Sequence, residues 1–308
     1  MKNPIREQGA AIIVALFVTA LVAAAALAMI EHLALDTRRT ELIQNDNQAN
    51  LYAAGSIAWA IEQLITDWKQ QQPQKLIDRT PIISPPDEIN HAKISSIIYD
   101  AEGNLNLNNL TDTSLQPVMV RLIQLAAPNV NASAAKNIVS ALVDWITPGI
   151  HESSFDQYYE KLNPPYRAAH HPMASVSELR LVQGMTADLY EKLLPFVTAL
   201  PDKTKLNINS IPIPVLMSFS PAITLETAKA FDLFRKQKPI TNLDVLANFA
   251  AIKNSPVSSY LTLSSDFFLL TTHVTIETQT LTLNTLLMRT LKNNQPTVII
   301  LWQSKGTL

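Results

Sequence analysis

Residues 10–30 are apolar except for Thr19, and nothing behind them breaks the helix that such a run favours. At 1.5 Å per residue the run is roughly 30 Å long as a helix, the thickness of a bilayer's hydrocarbon. It can therefore cross a membrane. Lys2 and Arg6 precede it while Glu31 and Asp36 follow it, so the basic residues near the start place the amino end in the cytoplasm, a count that Arg38 and Arg39 weaken. No proline follows until Pro73, and Ile57, Ile61, Leu64, Ile65 and Trp68 recur at helical spacing on one face. A helix over 10–71 would be roughly 90 Å long, half in lipid and half lying on something folded, with Gly55 as the expected bend. A secretory signal peptide ends its apolar stretch after about 7 to 15 residues at a small-residue cleavage site, unlike this segment. An uncleaved signal anchor is the other reading.

The 308 residues allow an anchor and one or two domains with proper cores. A formal charge of -2 disfavours nucleic acid as a partner, because phosphate binding normally needs a basic stripe. Absence of cysteine excludes disulfides, thiolate zinc sites and a cysteine nucleophile. The six glycines form no nucleophile elbow, phosphate loop or dinucleotide fingerprint, so no enzyme is expected. His151, His170 and His171 beside Glu152 lack the spacing of a zinc helix and read as a solvated loop. Gly184-Met185-Thr186 resembles a helix-hairpin-helix turn, but Glu178, Asp188 and Glu191 stand among Arg180 and Lys192, so the face is not basic.

Prolines at 73, 81, 85 and 86 mark a loop over 73–90. Residues 93–99 read as a strand, 100–103 as a turn and 104–108 as a second strand, making a hairpin. Apolar helical periodicity follows over 115–126, 132–145, 176–181, 187–196, 213–219, 225–234 and 243–250, with Ser133, Ser175, Thr186 and Thr241 as expected caps. Segments 267–277, 280–288 and 297–302 return to strand character. The strands are too short to shield a core alone, so the economical closure packs them as one sheet on the outer half of the long helix. That is an α+β fold: a long amino-terminal transmembrane helix packed on a small antiparallel sheet, with a large all-α insertion. Asn104-Leu105-Asn106-Leu107-Asn108 recurs as Lys205-Leu206-Asn207-Ile208-Asn209, which suggests two related helical subdomains within the insertion.

A short charged leader, then Gly9, then an unbroken apolar helix resembles the start of type IV pilins and pseudopilins. Asp144-Trp145, Tyr158-Tyr159, Pro164-Pro165-Tyr166-Arg167-Ala168, the segment Pro172-Met173-Ala174-Ser175-Val176-Ser177-Glu178-Leu179-Arg180, and Gly184-Met185-Thr186 together resemble the central signature of the K-type minor pseudopilins of type II secretion systems. The resemblance implies cleavage by a prepilin peptidase between Gly9 and Ala10, and methylation of Ala10 as the new amino terminus. Most pilin-like subunits carry glutamate at the fifth mature position, here Val14; the K-type member is known for lacking it and is thought to sit at the tip.

The division of the chain becomes leader 1–9, transmembrane helix 10–30, periplasmic half-helix 31–72, loop and hairpin 73–108, helical insertion 109–263 and closing strands 264–308. The implied partners are I- and J-type minor pseudopilins, the major pseudopilin, the prepilin peptidase and the inner-membrane secretion platform, with no nucleic acid. The implied location is the bacterial inner membrane, single-pass, with the carboxy-terminal domain periplasmic. A minor pilin of a surface type IV pilus is the runner-up, and a membrane-anchored DNA-uptake receptor is a more distant rival. Family members hold calcium after the Asp-Trp pair; here only Asp144, Glu152 and Asp156 remain as acids, so a complete site would need backbone carbonyls and water. Asp100, Glu102 and Asn104 resemble fragments of a calcium loop but suit the turn better.

Overall fold

A computed structural model describes residues 5–71, 81–149 and 153–306. Helix α1 (Ile5–Gln71) is a single rod of 67 residues that runs through Gly55 without interruption. The side chains of its described amino half are exposed, and burial begins in its outer half, where Ala49, Ala53, Ile57, Ala60 and Leu64 form one stripe. Three of those five are alanine, which brings the helix backbone close to the sheet beneath it. The two larger side chains supply most of the area, about 1.5 to 3 kcal/mol each.

Strand β1 (Ile82–Ile83), β2 (Asp87–Ile89) and β3 (Ala92–Asp100) follow, and both short strands pair antiparallel with β3. The hairpin is therefore formed by β2 and β3, and not by 93–99 with 104–108 as the sequence suggests. Its turn is Asn90-His91, with φ of 49° and 67°, the left-handed pair that matches strand twist in a two-residue turn. After β3 a 3-10 turn over Ala101–Gly103, capped by Asp100, carries the chain out of the sheet.

Strand β4 (Leu105–Asn106) opens the helical insertion, followed by α2 (Gln116–Ala126), α3 (Ala132–Ile146), α4 (Ser154–Tyr159) and α5 (Ala187–Leu193). Strand β5 (Val197–Thr198) then pairs parallel with β4. Strand β6 (Leu206–Asn207) begins a second unit with α6 (Ile213–Ser218), α7 (Leu225–Gln237), α8 (Ala250–Lys253) and β7 (Leu261–Thr262), which pairs parallel with β6. Ser175 and Thr186 cap as expected, whereas Asn131 and Asn242 cap in place of Ser133 and Thr241.

The sequence repeat is a structural one. The amide of Asn108 bonds both the N–H and the carbonyl of Met173 (2.8 and 3.0 Å), and that of Asn209 does the same at Ile240 (2.9 and 3.1 Å). Each clamped residue follows a proline, Pro172 or Pro239, and leads into a 3-10 turn. Such paired bonds satisfy backbone groups in a segment with no ladder of its own.

The chain closes with β8 (Phe267–Ile276), β9 (Gln279–Lys292) and β10 (Gln295–Lys305), giving the order β1-β3-β8-β9-β10 with β2 also on β3. Since β3 and β8 are neighbours, residues 101–266 form an excursion between two adjacent strands. One core lies between α1 and the sheet, another fills the helical insertion, and Ala101, Leu200, Phe267 and Leu286 form a small apolar joint of their own.

Candidate functional site

Two regions bear on function: the apolar stem and the loop that leaves α3. Of the sites expected near the start, Gly9 and Ala10 fall in the first turns of α1, but their side chains lie outside the described ones. Val14 stands on the open face of the stem at 61% exposure, among Ile12, Ile13, Leu16, Phe17 and Val18, which are equally exposed. The apolar stretch of this helix is nowhere buried by the rest of the chain. Its side chains suit lipid, which fits a membrane anchor.

The loop is organised from the end of α3. Ser153 caps α4 in a reciprocal box: its Oγ accepts from the Asp156 amide (3.1 Å), and Asp156 Oδ2 accepts from the Ser153 amide (3.1 Å). The same hydroxyl donates to Asp144 Oδ2 at 3.0 Å, which joins the carboxylate in the last turn of α3 to the start of α4. His170 closes the loop from the other side, with Nε2 at 2.9 Å from Asp156 Oδ2 and Nδ1 at 3.1 Å from the Asp144 carbonyl. Its reading as a solvated residue is thus overturned: 17% of the side chain is accessible, and 10% of Asp156. His171 does face solvent, bonded only to the Pro172 carbonyl.

A carbonyl can only accept, so Nδ1 of His170 donates to Asp144, and Nε2 faces the Asp156 carboxyl group, which accepts from the amides of Ser153 and Ala168; the arrangement favours the protonated ring. Burial opposes that charge, but the bonds to Asp156 and to the Asp144 carbonyl and the two nearby carboxylates outweigh it, lifting the His170 pKa above its ordinary value. Burial likewise disfavours the Asp156 carboxylate, yet His170 and the two backbone amides hold its pKa below the usual range. For Asp144 burial prevails over the Ser153 bond and the nearby ring, so its pKa is raised.

An aromatic cluster backs this clamp. Trp145 meets Tyr159 edge-on at 5.4 Å, and Tyr166 stacks on Tyr159 at 5.2 Å. The Tyr159 hydroxyl accepts from the Gln183 amide and Tyr166 donates to the Leu181 carbonyl. Glu178 takes the Trp145 indole N–H at 3.4 Å and the amides of Ala174 and Ser175, so the end of α3 is fastened to residues 174–178.

Calcium does not fit the described donors. It needs six to eight oxygens, while the facing oxygens of Asp144 and Asp156 already accept from Ser153 and His170, and the His170 ring stands against both residues. Among the described residues no three acidic or histidine side chains are arranged to hold a metal; Glu152 and His151 lie outside them. Asp100, from the other expected calcium fragment, caps its 3-10 turn and accepts from Asn207 and Ser265 at 2.7 Å each.

A family model described as "Type II secretion system (T2SS), protein K" matches residues 103–202, the segment that contains the clamp and the aromatic cluster. The Type II secretion system protein K of Pectobacterium carotovorum subsp. carotovorum is 30% identical over 261 residues, covering 78% of this chain and 79% of that one. That of Aeromonas hydrophila is 32% identical over 227 residues, covering 67% and 68%. The chain belongs to the type II secretion system protein K family. It is accordingly a minor pseudopilin of type II secretion. A chain in the crystal structure of the GspK-GspI-GspJ complex from the enterotoxigenic Escherichia coli type 2 secretion system superposes with a TM-score of 0.65, covering 88% of this chain and all of that one, at 23% identity, and so shares its fold. The histidine in the clamp was not legible by motif. Its signal was compensation: an acid-poor loop after Asp144, with a histidine returning to the end of α3 just before Pro172.

Proposed function

We propose that this pseudopilin forms the tip of the periplasmic pseudopilus and initiates its assembly with I- and J-type minor pseudopilins. The observation that carries the reading is the excursion of residues 101–266 between neighbouring strands β3 and β8. It sets a helical head beside a pilin-like stem, and a body of that width leaves no room for another subunit above. The GspK named in the complex is assembled with GspI and GspJ, which supports the same partners for this chain. In this reading the prepilin peptidase cuts between Gly9 and Ala10, Ala10 is methylated, the amino end is cytoplasmic and the head is periplasmic. The major pseudopilin and the inner-membrane platform are further partners; DNA is not.

The role is structural rather than catalytic in this reading. Asp144, Tyr159, Ser175, Glu178 and Thr186 of the family signature are engaged in caps, the clamp and bonds between segments. Deleting residues 109–263, with a short linker in their place, tests the cap directly. The truncated stem should still fractionate with the inner membrane while secretion of native substrates stops; normal secretion by that strain would rule the capping role out. Pull-down of the full chain should recover I- and J-type subunits.

A further inference from the structure

The α3–α4 loop is drawn together by side chains of the chain itself, and this has a consequence independent of any role in secretion. We infer that His170, rather than a divalent cation, holds the segment between Asp144 and Met173, so that the head of this protein reaches and keeps its shape without calcium. The carboxylates of Asp144 and Asp156 both face Ser153, and His170 ties the same two residues together from the other side, with Nε2 2.9 Å from Asp156 Oδ2 and Nδ1 3.1 Å from the main-chain carbonyl of Asp144. A metal entering the same space would meet that ring, would have to displace the Ser153 hydroxyl from Asp144, and would compete with the cap that starts α4.

The remaining charges nearby do not change the balance. Glu160 is paired with Arg167 at 3.0 Å, both more exposed than the clamp, and Glu178 is engaged by Trp145, Ala174 and Ser175. The backbone at His170 is left-handed, with φ of 44°, a conformation uncommon for a residue with a side chain. The clamp fixes its ring through both nitrogens.

The test uses the full-length chain purified in detergent and stripped with EGTA. Thermal unfolding is followed in EGTA and in about 1 mM calcium, the range of weak extracellular sites, and calcium titration calorimetry is run alongside. The expected result is the same unfolding temperature in both and no saturable heat. His170→Ala should lower the unfolding temperature by roughly 5 °C or more, equally with and without calcium. His170→Gln, which keeps one donor, should lie between. A calcium-dependent rise of roughly 5 °C or more in the unaltered chain would overturn the inference, as would saturable calcium binding or a His170→Ala chain that melts like the original. Should His170→Ala not fold at all, the comparison on the unaltered chain decides alone.

Discussion

Gly184 has a φ of +86°, and a Cβ placed on it would stand 2.8 Å from Ile138 Cγ1. Both the backbone and the space therefore require glycine, and Gly184→Ala should destabilise the head by roughly 2 to 4 kcal/mol, read by chemical denaturation. Tyr159 gives a prediction in pH. Burial, opposed by the bond from Gln183 and aided by Tyr166, Asp144 and Tyr158, pushes its phenol up to about 12. Below pH of about 10 the phenol is neutral folded and unfolded; above it the unfolded chain releases the proton first, so stability falls as pH rises toward the folded value. Tyr159→Phe should flatten that alkaline limb by about one proton, near 1.4 kcal/mol per pH unit, while losing about 1 kcal/mol at neutral pH through the stranded Gln183 amide. Residues such as Ser175 and Thr186 were legible because capping is a local rule. His170 was not, because its partners Asp144 and Asp156 are 26 and 14 positions away.

Elements follow the same division. The late strands were legible from β-branched alternation, and the structure lengthens the last two, since pairing between β9 and β10 carries the ladder into polar residues. The early hairpin was misplaced because Asp100-Ala101-Glu102-Gly103 has turn composition, while the true turn, Asn90-His91, places a histidine where glycine is usual. Residues 105–106 then find their partner in 197–198, a parallel pairing far along the chain that no local pattern can announce. On α1 the large residues of the buried stripe were evident and the alanines were not, though Ala53 and Ala60 are wholly buried. Their small size sets the helix-to-sheet distance. Ala53→Leu should lift the helix and cost roughly 1 to 3 kcal/mol, seen as a lower unfolding temperature, whereas the reverse change at exposed Leu51, Leu51→Ala, should be nearly silent.

The two cores of the molecule meet at a bonded joint. Asp100 accepts from Asn207 of the head and from Ser265 beside the sheet, and Arg289 donates to the Ser265 carbonyl while lying over Trp68 of α1 and Phe268 of β8. The head is thus joined to α1 and the sheet through bonded neighbours rather than through a loose linker. The stem's own end bears on whether a subunit stands above it. In pilin-like filaments the fifth-position carboxylate finds its partner on the subunit above, and an unpaired carboxyl group in hydrocarbon costs roughly 3 kcal/mol. Val14, at that position if the chain is cut after Gly9, makes no such demand, as the proposed tip role requires. Val14→Glu would introduce a charge that a tip subunit has no neighbour to neutralise, and it should reduce both the membrane-inserted amount of the chain and its recovery with I- and J-type subunits, while Val14→Leu should change neither. Full recovery and secretion with Val14→Glu would mean that a subunit above supplies the partner, and the chain would then belong inside the filament instead of at its end.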